Sequence, residues 1–155
     1  MASELKVDTV SEKTTGSGVT IDSVTLKDGA VVGAALTDYV ETDVALTSTS
    51  GVIAIDLANG NTGSITLSEN ITDIDFTNVP TNGTSSFTLK VTQDGTGSRT
   101  MAINAITVNG GGNVTGLTPG AAGLTLSTGA ADIDLVSFLF FDAGTPLINS
   151  LLDFS

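Results

Sequence analysis

Apolar residues in this chain fall in short runs that alternate with polar ones, and the phase of that alternation carries most of the structural signal. In "SFTLKVT", Phe87, Leu89 and Val91 share one side while Thr88, Lys90 and Thr92 share the other, the period-two pattern of a strand with one buried and one wet face. From Val52 onward such runs recur at short intervals, each bounded by Gly, Asn, Asp or Pro. The spacing predicts strands near 52–57, 63–68, 71–77, 84–92, 99–108, 123–127, 132–141 and 146–154, and an all-β, jelly-roll-like antiparallel sandwich. Within "TMAINAITV" the apolar phase shifts from odd (Met101, Ile103) to even (Ile106, Val108), which predicts a bulge between Ala105 and Ile106.

"DIDLVSFLFF" is apolar in both phases from Leu135 to Phe141. A strand of that kind needs cover on both faces, so it sits centrally or at a subunit contact, which makes Leu135, Phe138, Phe140 and Phe141 candidate interface residues. "DAGTP" then turns the chain and "LINSLLDF" returns as a hairpin partner.

Residues ahead of Val52 differ in kind. In "SGVTIDSVTLKDG" the pair Val19 and Ile21 is out of phase with Val24 and Leu26. A two-residue turn at Asp22-Ser23 resolves the conflict by placing all four apolar side chains on one face of a small hairpin. Arms of three residues bury too little to fold alone, so these four residues need outside partners. They dock on the chain's own body, or three copies meet around an axis and each supplies one wall of a shared core. The resulting division is an arm at 1–30, a connector of undecided conformation at 31–50 and a β-domain at 51–155. No internal repeat of 20 to 50 residues is visible, which argues against a solenoid or propeller.

Charge narrows the class of partner. Five Lys and Arg face 17 Asp and Glu, a net charge of -12. Seven acids and no base lie between Ala30 and Leu89, and nothing basic follows Arg99. Phosphate backbones are repelled by such a chain, so nucleic acid is not expected as a partner. The plain reading of the acidity is a soluble outer face; the sharper one is attraction to a basic partner or to cations. No apolar run approaches the roughly 20 residues of a membrane span, and the charged opening "MASELKVDTV" does not read as a signal peptide.

Candidate chemistry is sparse. The chain has neither His nor Cys, which removes the Ser-His-Asp and Cys-His nucleophile systems, thiolate metal sites and disulfides. Paired carboxylates of the glycosidase kind remain conceivable, but no Trp and a single Tyr leave little to hold a sugar ring. Asp73/Asp75 and Asp132/Asp134 set two carboxylates on one strand face, an arrangement Ca²⁺ uses, although alternation alone places them on the wet side. "NGGGN" at 109–113 lacks the Lys of a phosphate loop and reads as a loop tip. No enzyme activity and no cofactor are expected.

"ELKVDTVSEKTTGSGVTIDSVTLKDGAVVG", Glu4 to Gly33, resembles the opening segment of many tail-fibre and other virion structural proteins of marine bacteriophages and cyanophages, where a "KVDT…SEKT…GVTID…LKDG" pattern occurs. "FTNVPTNGTSSFTLKVTQDG" and "SFLFFDAGTPLINSLLDF" resemble the β-rich terminal domains of such proteins. The resemblance implies a homotrimeric particle-surface protein, a short fibre or spike held by its N-terminal arm to other phage structural proteins, with a host receptor as a further partner. The rival is a capsid decoration protein that cements the head shell. An adhesin or carbohydrate-binding module is the reading from another class, disfavoured by the missing Trp and leader.

Overall fold

The computed structural model of the chain describes residues 39–154. The hairpin expected at Asp22-Ser23, with Val19, Ile21, Val24 and Leu26, lies outside them. The chain divides into Met1–Tyr39 and Val40–Ser155, and the architecture below is that of the second unit.

Nine strands follow one another: β1 (Asp43–Ala45), β2 (Ser48–Thr49), β3 (Val52–Asp56), β4 (Thr62–Leu67), β5 (Asp73–Thr77), β6 (Thr84–Gln93), β7 (Ile106–Val108), β8 (Ile133–Phe141) and β9 (Leu147–Leu151). They form a five-stranded sheet in the order β1-β4-β6-β8-β9 and a four-stranded sheet in the order β2-β3-β5-β7. All-β is therefore correct. The antiparallel arrangement is not: the ladders β1/β4, β4/β6, β3/β5 and β5/β7 are parallel, while β2/β3, β6/β8 and β8/β9 are antiparallel.

The reason lies in what alternation encodes. Period two fixes which side chains face inward and is silent on strand direction. From β3 to β7 consecutive strands belong to opposite sheets, so each strand pairs with the element two places on, in the same direction, after the chain has crossed over and back. This coiled path leaves no repeat in the sequence. Ile53, Ile74 and Ile106 stack in register across β3, β5 and β7, but the intervals between them are unequal, and a sequence search for one fixed period passes over them. The segment read as a connector supplies β1 and β2, whose short pairings lie at one edge of each sheet.

The inward phases of both sheets meet in one apolar core. Phe76 of β5 stands at its centre, edge-on to Phe87 of β6 at 6.3 Å and to Phe138 and Phe140 of β8 at 5.1 and 4.9 Å. Such ring pairs add roughly 0.5–1.5 kcal/mol each beyond their burial. Gly63 occupies an inward place on β4 because a Cβ there would come within 2.8 Å of the Phe87 ring. At "NAITV" the chain bends through 103–105 before β7 begins, so the phase change is made by a bend and not by a bulge. Residues 123–127 form no strand; Leu126 is buried there all the same.

Two buried polar residues fasten the long segment between β7 and β8. Gln93 donates to the carbonyls of Arg99 and Ser127, both at 2.9 Å, and accepts from the Arg99 amide at 2.8 Å. Asp134 accepts from the Ser127 amide at 2.8 Å, the Ser127 hydroxyl at 2.7 Å and the Asp153 amide at 3.0 Å. In these two residues the buried polar atoms are tolerated because they are matched.

Candidate functional site

The outer face of the five-stranded sheet is built from the phase that the core does not use. On β4 that phase is Thr62, Ser64 and Thr66; on β6 it is Thr84, Ser86, Thr88, Lys90 and Thr92. Across the sheet the composition changes. On β8 the outward residues are Ile133, Leu135, Ser137, Leu139 and Phe141, and on β9 they are Leu147, Asn149 and Leu151. Register sets Leu135 opposite Leu151 and Leu139 opposite Leu147, two leucine pairs flanking the polar pair Ser137/Asn149.

Leu117 extends this strip past β9. Its amide donates to the Pro146 carbonyl at 2.9 Å and its own carbonyl accepts from the Ile148 amide at 2.7 Å, which seats residue 117 beside the sheet edge. A groove of about 520 Å³ runs between Leu117, Pro119, Leu139 and Leu147. Phe141 is 56% exposed, Leu151 58% and Leu117 54%, so the strip meets solvent. No residue lining the groove is charged, in a chain of net charge -12. Contiguous apolar surface of this kind makes the strip the candidate contact face.

The candidate interface residues of β8 separate by phase. Leu135 and Phe141 lie on the strip. Phe138 and Phe140 are fully buried against Phe76 and have no surface to offer a partner. The strand is apolar in both phases, and only the second sheet decides which one faces the chain's own core. Leu139, Leu147, Leu151 and Leu117 were not singled out from sequence. The first three were reachable from it, since a hairpin through "DAGTP" pairs β9 with β8, whereas Leu117 arrives through a non-local bridge with no sequence signature.

The two Asp-x-Asp steps also diverge. Asp73 and Asp75 lie on the outward side of β5, where the Thr107 hydroxyl donates to Asp75; one oxygen of Asp73 is buried without a partner. Asp132 accepts from the Gly129 amide at 2.6 Å, and Asp134 is in the inward phase, contrary to the expectation of a wet face. No group of three or more potential metal ligands occurs among the described residues. Asn109 of "NGGGN" closes a turn, exchanging hydrogen bonds with the Val79 backbone at 2.8 and 3.0 Å.

Three half-buried carboxyls are held below the usual carboxylate range. Asp94 is held first by the Arg99 guanidinium, which donates at 2.7 and 3.0 Å, and further by the amides of Gly97 and Thr96. Asp56 owes its shift first to the Asn78 side-chain amide and then to the Ala58 amide. Glu69 owes its own to the Gly51 amide and the Ser48 hydroxyl. These are turn-fixing bonds and involve no cluster able to do acid-base chemistry.

No protein-family profile, curated protein or solved structure matches the chain.

Proposed function

We propose that the chain is a structural protein of a bacteriophage particle surface, without enzymatic activity, assembled as a homotrimeric short fibre or spike. In this reading residues 1–30 tether and trimerise the protein, and the two sheets form a sandwich that projects outward. Three copies turn their β8–β9 strips toward a common axis, which buries Leu135, Leu139, Phe141, Leu147 and Leu151 together. The observation that carries the reading is the uncharged leucine strip on an otherwise acidic chain: copies repel one another except where this face meets its like. The resemblance of Glu4–Gly33 to phage virion proteins supplies the particle.

Mass photometry of the full chain, together with gold labelling of particles that carry it, tests the proposal. The expected result is a trimer that dissociates when residues 1–30 are deleted, and label at the tail. A chain that stays monomeric overturns the trimer, and label spread over the head shell favours a decoration role over a fibre.

A further inference from the structure

A second feature of the same sheet lies outside that reading. Beside the polar half of its outer face the chain forms a trough of about 540 Å³. The segment after β1 makes one wall, and the outward side chains of β4 and β6 make the floor. Thr47, Ser64, Thr66, Ser68, Thr92 and Lys90 line it, with no carboxylate among the lining residues. Register sets Lys90 opposite Ser64 and Thr92 opposite Thr66, so the ammonium and three hydroxyls belong to one compact patch.

The state of these groups is informative. Only two bases fall within the described residues, Lys90 and Arg99. Arg99 is taken by Asp94 at 2.7 Å, and Lys90 has no partner among the described residues. The hydroxyls of Thr47, Thr66, Ser68 and Thr92 likewise make no hydrogen bond within the described chain. Two carboxylates border the trough and bond to its rim rather than to Lys90: Asp43 accepts from the Ser64 hydroxyl at 2.9 Å, and Glu69 from Ser48 and Gly51. Among the described residues Lys90 is the cation without a carboxylate partner, and it lies in a concave site beside the unbonded hydroxyls of Thr66, Ser68 and Thr92, so a ligand with a single negative charge meets attraction there.

We propose that this trough binds an anionic saccharide, a sugar whose single carboxylate or sulfate meets Lys90 while its ring hydroxyls exchange hydrogen bonds with Thr66, Ser68 and Thr92. Hydroxyls both donate and accept, which matches the vicinal hydroxyls of a sugar. One ammonium matches one charge, whereas a polyphosphate would need several cations and would meet the field of the whole chain. A volume of this size lies in the ordinary range for small-ligand sites. No aromatic ring lines the trough, so the expected affinity is weak, on the order of millimolar. The inference does not depend on the oligomeric state.

The test is a ¹⁵N–¹H titration of the full chain with an unsulfated chondroitin disaccharide, with cellobiose as the neutral control and sodium sulfate as the free-anion control. The expected result is a saturable shift of the Thr66, Lys90 and Thr92 amides with the chondroitin disaccharide, weakened at least about tenfold by Lys90→Gln and largely retained by Lys90→Arg. No shift up to roughly 20 mM overturns the proposal. Equal binding of cellobiose overturns the role of Lys90, and equal binding of sulfate reduces the site to one for a bare oxyanion and overturns the saccharide. Oligomer mass measured on the same samples keeps this outcome separate from that of the trimer.

Discussion

The outer face of the five-stranded sheet has two halves, and folding does not explain why they differ. Behind both stands the same kind of core: Ile65, Leu89 and Val91 under the hydroxyl half, Val136, Phe138 and Ile148 under the leucine half. A strand needs only its inward phase to be apolar. The outward phase is then free, and on β4 and β6 it carries Ser, Thr and Lys, which water satisfies. On β8 and β9 it carries leucines whose remaining exposed area, 42% at Leu147 and 58% at Leu151, adds on the order of 1 kcal/mol each only when something covers it. The chain thus uses one phase for its own stability, and in the proposed assembly the place where the outer face changes character is where a sister copy ends and solvent begins.

The largest effect comes from crossing the phases on one strand. Phe138→Ala removes a ring from the Phe76 cluster and is expected to destabilise the second unit by about 3–5 kcal/mol, read from the urea midpoint. Replacing the outward neighbours by Leu139→Asp with Leu147→Asp costs the dissociated chain about 1–2 kcal/mol, short of Phe138→Ala, yet weakens association at least about a hundredfold. If the outward pair proves as damaging to folding as Phe138, the distinction between phases fails.

Asp134 tests the inward phase where it is polar. Asp134→Ala leaves two amides and a hydroxyl without their acceptor and is expected to cost about 1–3 kcal/mol, with amide exchange rising first at Ser127 and Asp153. Thr88→Ala, outward on the hydroxyl half, should be nearly neutral by the same urea assay. The smallest effect is the response to acid. Asp94, Asp56 and Glu69 have native pKa values below their unfolded ones, so the unfolded chain binds more protons near pH 4. Their contribution is present above about pH 5 and is lost as the pH falls through the lower native values. Thermal melts should therefore decline between about pH 5 and pH 3, and the Asp94 part of that decline should vanish in Asp94→Asn.

Strand positions were legible because alternation is a local property. β3, β4, β6 and β8 fall within a residue or two of where the pattern of Ile53/Ile55, Ile65/Leu67, Phe87/Leu89/Val91 and Val136/Phe138/Phe140 sets them. Strand direction was not legible, because Ile53, Ile74 and Ile106 look the same to the core whether their strands run together or opposed. The strip was half legible: the double apolar phase of β8 announced a covered face, but choosing Phe138 and Phe140 for the core over Leu135 and Leu139 required the position of Phe76. Lys90 read from sequence as an ordinary wet position, and its lack of a partner becomes visible only when Arg99 and Asp94 are seen together.

Sedimentation equilibrium of the full chain beside Leu139→Asp/Leu147→Asp and a matched Thr66→Asp/Thr88→Asp variant bears most directly on the claim that β8 and β9 face sister copies. Trimers for the parent and for the hydroxyl-half variant, with a smaller species for the leucine variant, are the expected outcome. A monomeric parent, or a leucine variant as trimeric as the parent, would contradict it.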